Sequence, residues 1–122
     1  MSVHSVGVDL IEIERIEKLL NKYGEKFLKR IYTDHEIDYC VKKKNKGSFA
    51  ARFATKEAVF KATGLGLAKG MTWRDVEVIN DEKGKPHVRL YGKTAELLAN
   101  KKIQLSISHS KDAAIAMVVV HE

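Results

Sequence analysis

The sequence predicts an α+β domain, a mostly antiparallel sheet packed on helices, and three observations carry that prediction. Apolar residues at helical spacing fill most of the first half, after one short alternating run at the start. A turn-rich segment, Asp81 to Pro86, separates two strand-like runs. Two further β-branched runs close the chain. The order is strand, three helical segments, two strands, short helix, two strands. At 122 residues the chain makes one domain, 1–122, without room for a second core.

Hydrophobic content of 44% with a single proline belongs to a folded globule rather than a disordered chain. The formal charge is +6, from 22 basic and 16 acidic residues, and the excess is local. Lys42, Lys43, Lys44, Lys46, Arg52, Lys56 and Lys61 face one acid in that stretch, Glu57. An anionic partner is expected. Nucleic acid, a phosphorylated small molecule and an acidic protein all fit that charge. The apolar runs, such as Ala113 to Val120, are too short to span a bilayer, and no basic segment followed by an apolar signal core begins the chain. No membrane partner is expected, and a cytoplasmic location is. Cys40, the lone cysteine, lies among Ile37 and Val41 and reads as a buried, inert thiol.

Taken in order, Val3 to Asp9 alternates loosely and reads as a strand. Asp9 stands at its exit, either as the cap of the next helix or as a ligand presented at a sheet edge, and capping is the preferred reading. Ile13, Ile16, Leu19, Leu20 and Tyr23 make Ile11 to Tyr23 an amphipathic helix stopped by Gly24, with Glu12, Glu14, Arg15, Glu17, Lys18 and Lys22 outward. Phe27, Leu28 and Ile31 suggest a further turn or short helix. Thr33 and Glu36 have the spacing of a capping box, opening a helix that carries Ile37, Cys40 and Val41 inward.

The central stretch runs from Ser48 to Gly66. Ser48 can cap a helix of roughly four turns, and Gly64 suits the left-handed position past its end. Ala50, Ala54 and Ala58 form a row that admits a close neighbour, with Phe49, Phe53 and Phe60 for bulk. Glu57 and Lys61 share a face with Phe53 and Gly64, while Arg52 and Lys56 lie on a flank. Taken alone, Glu57 and Lys61 are an ordinary solvated pair.

Leu65 to Thr72, with Lys69 between Gly66 and Gly70, reads as a mobile loop. Its glycines follow a helix instead of preceding one, which excludes a P-loop. Val76 to Ile79 and His87 to Tyr91 form a hairpin, Thr94 to Asn100 a short helix, and Ile103 to Ser108 and Ala113 to Val120 the last strands, joined around His109-Ser110-Lys111-Asp112.

Asp9 and Glu57 are the candidate metal ligands, since two carboxylates completed by phosphate oxygens suit Mg²⁺. No Cys/His set suits zinc. Lys61, one turn from Glu57, would reach a phosphate bound there. His109, flanked by Ser108 and Ser110, is the best-placed histidine for acid–base or phosphate contact. His4, His35, His87 and His121 have no such setting.

Val6-Gly7-Val8-Asp9, Arg52-Phe53-Ala54-Thr55-Lys56-Glu57-Ala58-Val59-Phe60-Lys61-Ala62 and Ser106-Ile107-Ser108-His109-Ser110 resemble the three motifs of the 4′-phosphopantetheinyl transferases, in length and order the small bacterial type. The resemblance runs from about Ser5 to Val120. It implies that family's fold and its reaction, Mg²⁺-dependent transfer of the 4′-phosphopantetheine arm of coenzyme A to a serine of apo-acyl carrier protein, with release of adenosine 3′,5′-bisphosphate, in fatty acid biosynthesis. It implies Asp9 and Glu57 as Mg²⁺ ligands, Lys61, Glu57 and His109 as catalytic residues, and Lys44, Arg52, Lys61, Gly64, Pro86 and His109 as coenzyme A contacts. Lys44 and Arg52 are assigned to the 3′-phosphate and Lys85-Pro86 to the adenine side. Arg15 and Lys22 are assigned to the acidic carrier protein, with Lys26, Lys29 and Arg30 sharing the task because Glu12, Glu14 and Glu17 dilute the first helix's charge. A homotrimer with sites between subunits is also implied. The rival readings are a basic nucleic-acid-binding module, which the 7% aromatic content and the central Glu57 disfavour, and an assembly protein in which Glu57 and Lys61 are a buried pair.

Overall fold

A computed structural model describes residues 2–68 and 70–122, apart from the Lys46 side chain. Lys69, expected in a mobile loop, lies outside the described residues. The elements are β1 (Val3–Glu12), α1 (Ile13–Tyr23), α2 (Glu25–Ile31), α3 (Asp34–Lys43), α4 (Lys46–Ala62), a 3-10 turn (Trp73–Asp75), β2 (Val76–Asn80), β3 (Pro86–Leu90), α5 (Gly92–Leu97), β4 (Lys102–His109) and β5 (Ala113–His121). β1, β5 and β4 form one sheet in that order, and β2 and β3 a separate hairpin. All three strand pairings are antiparallel, so the expected α+β class is present.

α4 is the centre of the molecule, packed on β1 and β5 and touched by α1, α3 and β2. Its Ala50, Ala54, Ala58 and Ala62 are buried, as are Ala114, Ala116 and Val118 of β5. Small side chains on both surfaces let the helix axis approach the sheet closely. The tightest point is Gly7 of β1, where an added Cβ would stand 1.9 Å from the Ala58 carbonyl oxygen. Gly64 ends the helix at φ +80°, the left-handed backbone that glycine adopts without steric cost.

Several boundaries differ from the expectations. β1 continues past Asp9, because Leu10, Ile11 and Glu12 keep pairing with Ile115, Ala114 and Ala113. Asp9 is therefore mid-strand, opposite Ala116, and does not cap α1. Asn45, not Ser48, caps α4, its side chain accepting from Gly47 N at 2.8 Å. Lys44, in the left-handed region at φ 52°, turns the chain out of α3 just before. The Thr33–Glu36 capping box forms in both directions, at 3.3 and 2.9 Å. Val41, expected inward, is 58% exposed, while Cys40 is buried and burial pushes its thiol up to about 12. α5 begins at Gly92, earlier than expected, with Thr94 buried and bonded to Asp75 Oδ2 at 3.1 Å. Arg52 and Lys56, expected on a flank, are both buried.

Gly7→Ala forces a methyl into the Ala58 backbone, which has no rotamer to yield. A loss of about 1–3 kcal/mol of stability is expected in urea denaturation. A change within experimental error would show that the strand–helix contact is looser than described.

Candidate active site

Strand alternation places the site. Odd-numbered residues of β1 from Ser5 to Ile11 face α4, while Val6, Val8 and Leu10 face away and are exposed. Asp9 follows Gly7 by one such step, and Glu57 precedes Ala58 by one residue on α4. The contact that brings Gly7 onto Ala58 thus brings Asp9 toward Glu57.

The charges interact as that geometry requires. Lys61 Nζ donates to Asp9 Oδ1 at 2.9 Å and to Val8 O at 3.1 Å. Its ion-pair partner is therefore Asp9 on the neighbouring strand, and the hydrogen bond to Asp9 raises the ammonium above its ordinary value, so it stays cationic at neutral pH. Glu57 is half-buried. Burial, and then the nearby Asp9 carboxylate, push its carboxyl up, against the opposing pull of Lys61 and Arg15. Four sequence-predicted residues, Asp9, Arg15, Glu57 and Lys61, are thus brought into one electrostatic cluster. The Lys61 side chain is 53% exposed, which removes the reading of Glu57 and Lys61 as a buried pair. The buried pair in α4 is Lys56 with Glu36, at 2.7 Å.

Among the described residues no group of three or more His, Cys, Asp or Glu is arranged to hold a metal ion. Two carboxylates drawn together against their mutual repulsion do fit a hard cation that takes its remaining oxygens from substrate and water. Asp9 and Glu57 would hold it.

Two further predicted residues, Lys44 and His109, line a cleft of about 740 Å³ together with Asn45, Gly47 and Ser110. His109 ends β4 opposite Ala114. The turn after it is held by Ser110, whose hydroxyl accepts from Asp112 N and Ala113 N, each at 3.3 Å. Lys44 projects from the left-handed junction before α4. Asp9, Glu57 and Lys61 do not line this cleft.

The remaining predicted contacts are dispersed. The Arg52 guanidinium is turned inward, donating to Asn80 Oδ1 at 2.6 Å and stacking over the Tyr39 ring at 4.2 Å. It is 5% exposed, so in this chain it ties α4 to β2. Pro86 opens β3 opposite Asn80, and Gly64 follows α4. Lys22 lies over the Tyr23 ring at the end of α1, while Lys26, Lys29 and Arg30 are exposed on α2. Of the seven cations from Lys42 to Lys61, Arg52 and Lys56 are buried, which shrinks the basic surface that nucleic acid would need. Sequence reasoning missed Asn45 and Ser110 in the cleft. Both are residue types that cap helices and turns, and that preference is the signal that marks them.

Residues 5–118 match the 4′-phosphopantetheinyl transferase superfamily. The chain is 43% identical over 122 residues to a holo-(acyl-carrier-protein) synthase of Geobacter metallireducens, covering 97% of each chain. It superposes on the Helicobacter pylori holo-(acyl-carrier-protein) synthase in complex with coenzyme A with a TM-score of 0.85 and 35% identity, covering 94% of this chain and 98% of that one. The Bacillus anthracis holo-(acyl-carrier-protein) synthase in complex with CoA (3′,5′-ADP) gives 0.83 and 38%, covering 98% and 97%. This chain belongs to the 4′-phosphopantetheinyl transferase superfamily and is a transferase.

The raised Glu57 carboxyl has a stability consequence of definite sign. The folded state binds this proton more tightly than the unfolded chain, so Glu57 costs stability as pH rises through its folded titration, and the cost vanishes below the ordinary carboxylate range. In metal-free buffer Glu57→Gln is expected to be at least as stable as the parent at pH 7, with the difference closing as the pH is lowered to 4. A variant less stable at pH 7 would contradict the raised carboxyl.

Proposed function

We propose that this protein is a holo-(acyl-carrier-protein) synthase that moves 4′-phosphopantetheine from coenzyme A to a serine hydroxyl of apo-acyl carrier protein for fatty acid biosynthesis. The observation that carries the reading is the Asp9–Glu57–Lys61 cluster at the β1–α4 contact. The relatives' shared name and the coenzyme A bound in solved structures support it.

The serine hydroxyl gives up its proton to solvent water, and its oxygen forms a bond to the phosphorus that carries the pantetheine arm. The bond from that phosphorus to the bridging pyrophosphate oxygen breaks, and adenosine 3′,5′-bisphosphate leaves. The chain's task is positioning and charge neutralisation, because the partner brings the nucleophile. A Mg²⁺ ion between Asp9 and Glu57 would neutralise charge on the pyrophosphate. Lys61, a cation half in solvent, can pass its hydrogen bonds from Asp9 and Val8 to the departing phosphate. Lys44 and His109 line the same cleft of about 740 Å³, where they would meet the nucleotide end of coenzyme A.

Arg15 reaches Glu57 electrostatically, so the outer face of α1 borders the reacting centre. That border is where the acidic carrier docks, with Lys22 and the α2 cations extending the surface. Val6, Val8, Leu10, Ile115 and Met117 are exposed on the sheet face opposite α4. This apolar face is the contact by which a homotrimer assembles, with each site completed between subunits. No helix among the described residues is long and apolar enough to cross a membrane, and the protein works in the cytoplasm.

Intact-mass analysis of apo-acyl carrier protein incubated with this protein, coenzyme A and Mg²⁺ tests the reaction. One phosphopantetheine per carrier is expected, lost with chelator and reduced at least about 100-fold by Glu57→Gln. Transfer undiminished by chelator would remove the metal from the account. Light scattering tests the assembly: three chains are expected, and Leu10→Asp is expected to give smaller species. A monomeric parent would end the trimer reading.

A further inference from the structure

Lys56 and Glu57 are neighbours on α4, separated by about 100° of helix rotation, and they do opposite things. Glu57 looks toward Asp9, while the side chains of Lys56 and Glu36 are both 0% exposed. The Lys56 ammonium donates to Glu36 Oε1 at 2.7 Å, to Trp73 O at 3.3 Å and to Val76 O. Those acceptors belong to α3, the 3-10 turn and β2, and they use all three ammonium protons. Glu36 is equally engaged, its Oε1 also accepting from Thr33 N and its Oε2 from Val78 N, each at 2.9 Å.

A buried ion pair is an inefficient source of stability, because desolvating both charges offsets their attraction and apolar residues of similar volume often serve as well. What a fully satisfied polar network does supply is direction. Burial works against the Lys56 charge, and Glu36 opposes that effect, so each partner holds the other in place. An apolar side chain at position 56 would tolerate rotation of α4, but three directed N–H bonds to three different elements do not.

We propose that Lys56 is a positioning residue: its contacts with Glu36 and two backbone carbonyls set the rotation of α4 about its own axis and so hold Glu57 opposite Asp9. The proposal rests on reading Asp9 and Glu57 as the metal-holding pair. A side-chain tip about 6 Å from the helix axis moves about 1.5 Å for a rotation of about 15°. Misplacement of about 1 Å costs on the order of 100-fold in rate, and lost support behind a metal ligand costs about 10–100-fold in metal affinity.

The test is the double variant Lys56→Met with Glu36→Gln, which removes both charges together and strands neither. Cooperative thermal unfolding is expected to persist, with KM for coenzyme A within about threefold of the parent. The kcat is expected to fall about 100-fold, and manganese(II) affinity with coenzyme A present, read by electron paramagnetic resonance, to fall about 10-fold or more. A folded variant with parental kcat and manganese affinity overturns the positioning role and leaves the metal reading standing. A variant that no longer unfolds cooperatively overturns it too, because the pair is then an element of stability. If the parent binds no manganese with coenzyme A, the metal reading fails first and the proposal falls with it.

Discussion

The close approach of β1 to α4 is the constraint on which the rest depends. It exists because Gly7 has no side chain to hold the strand away from the Ala58 carbonyl, and because alanines line the facing surfaces of α4 and β5. A wider gap would preserve the fold class and lose the site. There burial, and then the nearby Asp9 carboxylate from the opposite element, raise the Glu57 carboxyl. The structure tolerates the repulsion because Lys61 and Arg15 stand beside them.

One helix thus carries two kinds of lysine with different physics. Lys56 is sequestered from water and bonded in three directions, so its contribution is geometric. Lys61, five residues on, is half in solvent and holds Asp9 and a strand carbonyl, so its bonds are easily exchanged for those of an anionic group.

Much of this was legible in the sequence, and the losses have physical causes. The alanine row, the Thr33–Glu36 box, the hairpin around Asp81 to Pro86 and the terminal strands were readable because local chemistry decides them. The fate of Asp9 was not, since Leu10 to Glu12 suits either a strand or the start of a helix. The choice is made by pairing with Ala113 to Ile115 at the other end of the chain. Charged residues are seldom fully buried unless paired, and Arg52 and Lys56 are expected on a flank of the helix. They are buried because Asn80 and Glu36, on other elements, offer partners that no local pattern reveals. The one-turn rule pairs Lys61 with Glu57, yet its hydrogen bond goes to Asp9 on the neighbouring strand. Motif and chemistry are therefore enough to name the candidate residues, while their partnerships come only with the tertiary structure.

Asp9 and Glu57, joined by the β1–α4 contact, are proposed to hold one divalent cation that also meets the coenzyme A pyrophosphate. Anomalous scattering from crystals grown with manganese(II) and coenzyme A tests this most directly. The expected result is a single strong peak within bonding distance of an oxygen of each carboxylate and of a phosphate oxygen. A peak held by other residues, or none there in crystals that still transfer the pantetheine arm, would contradict the account.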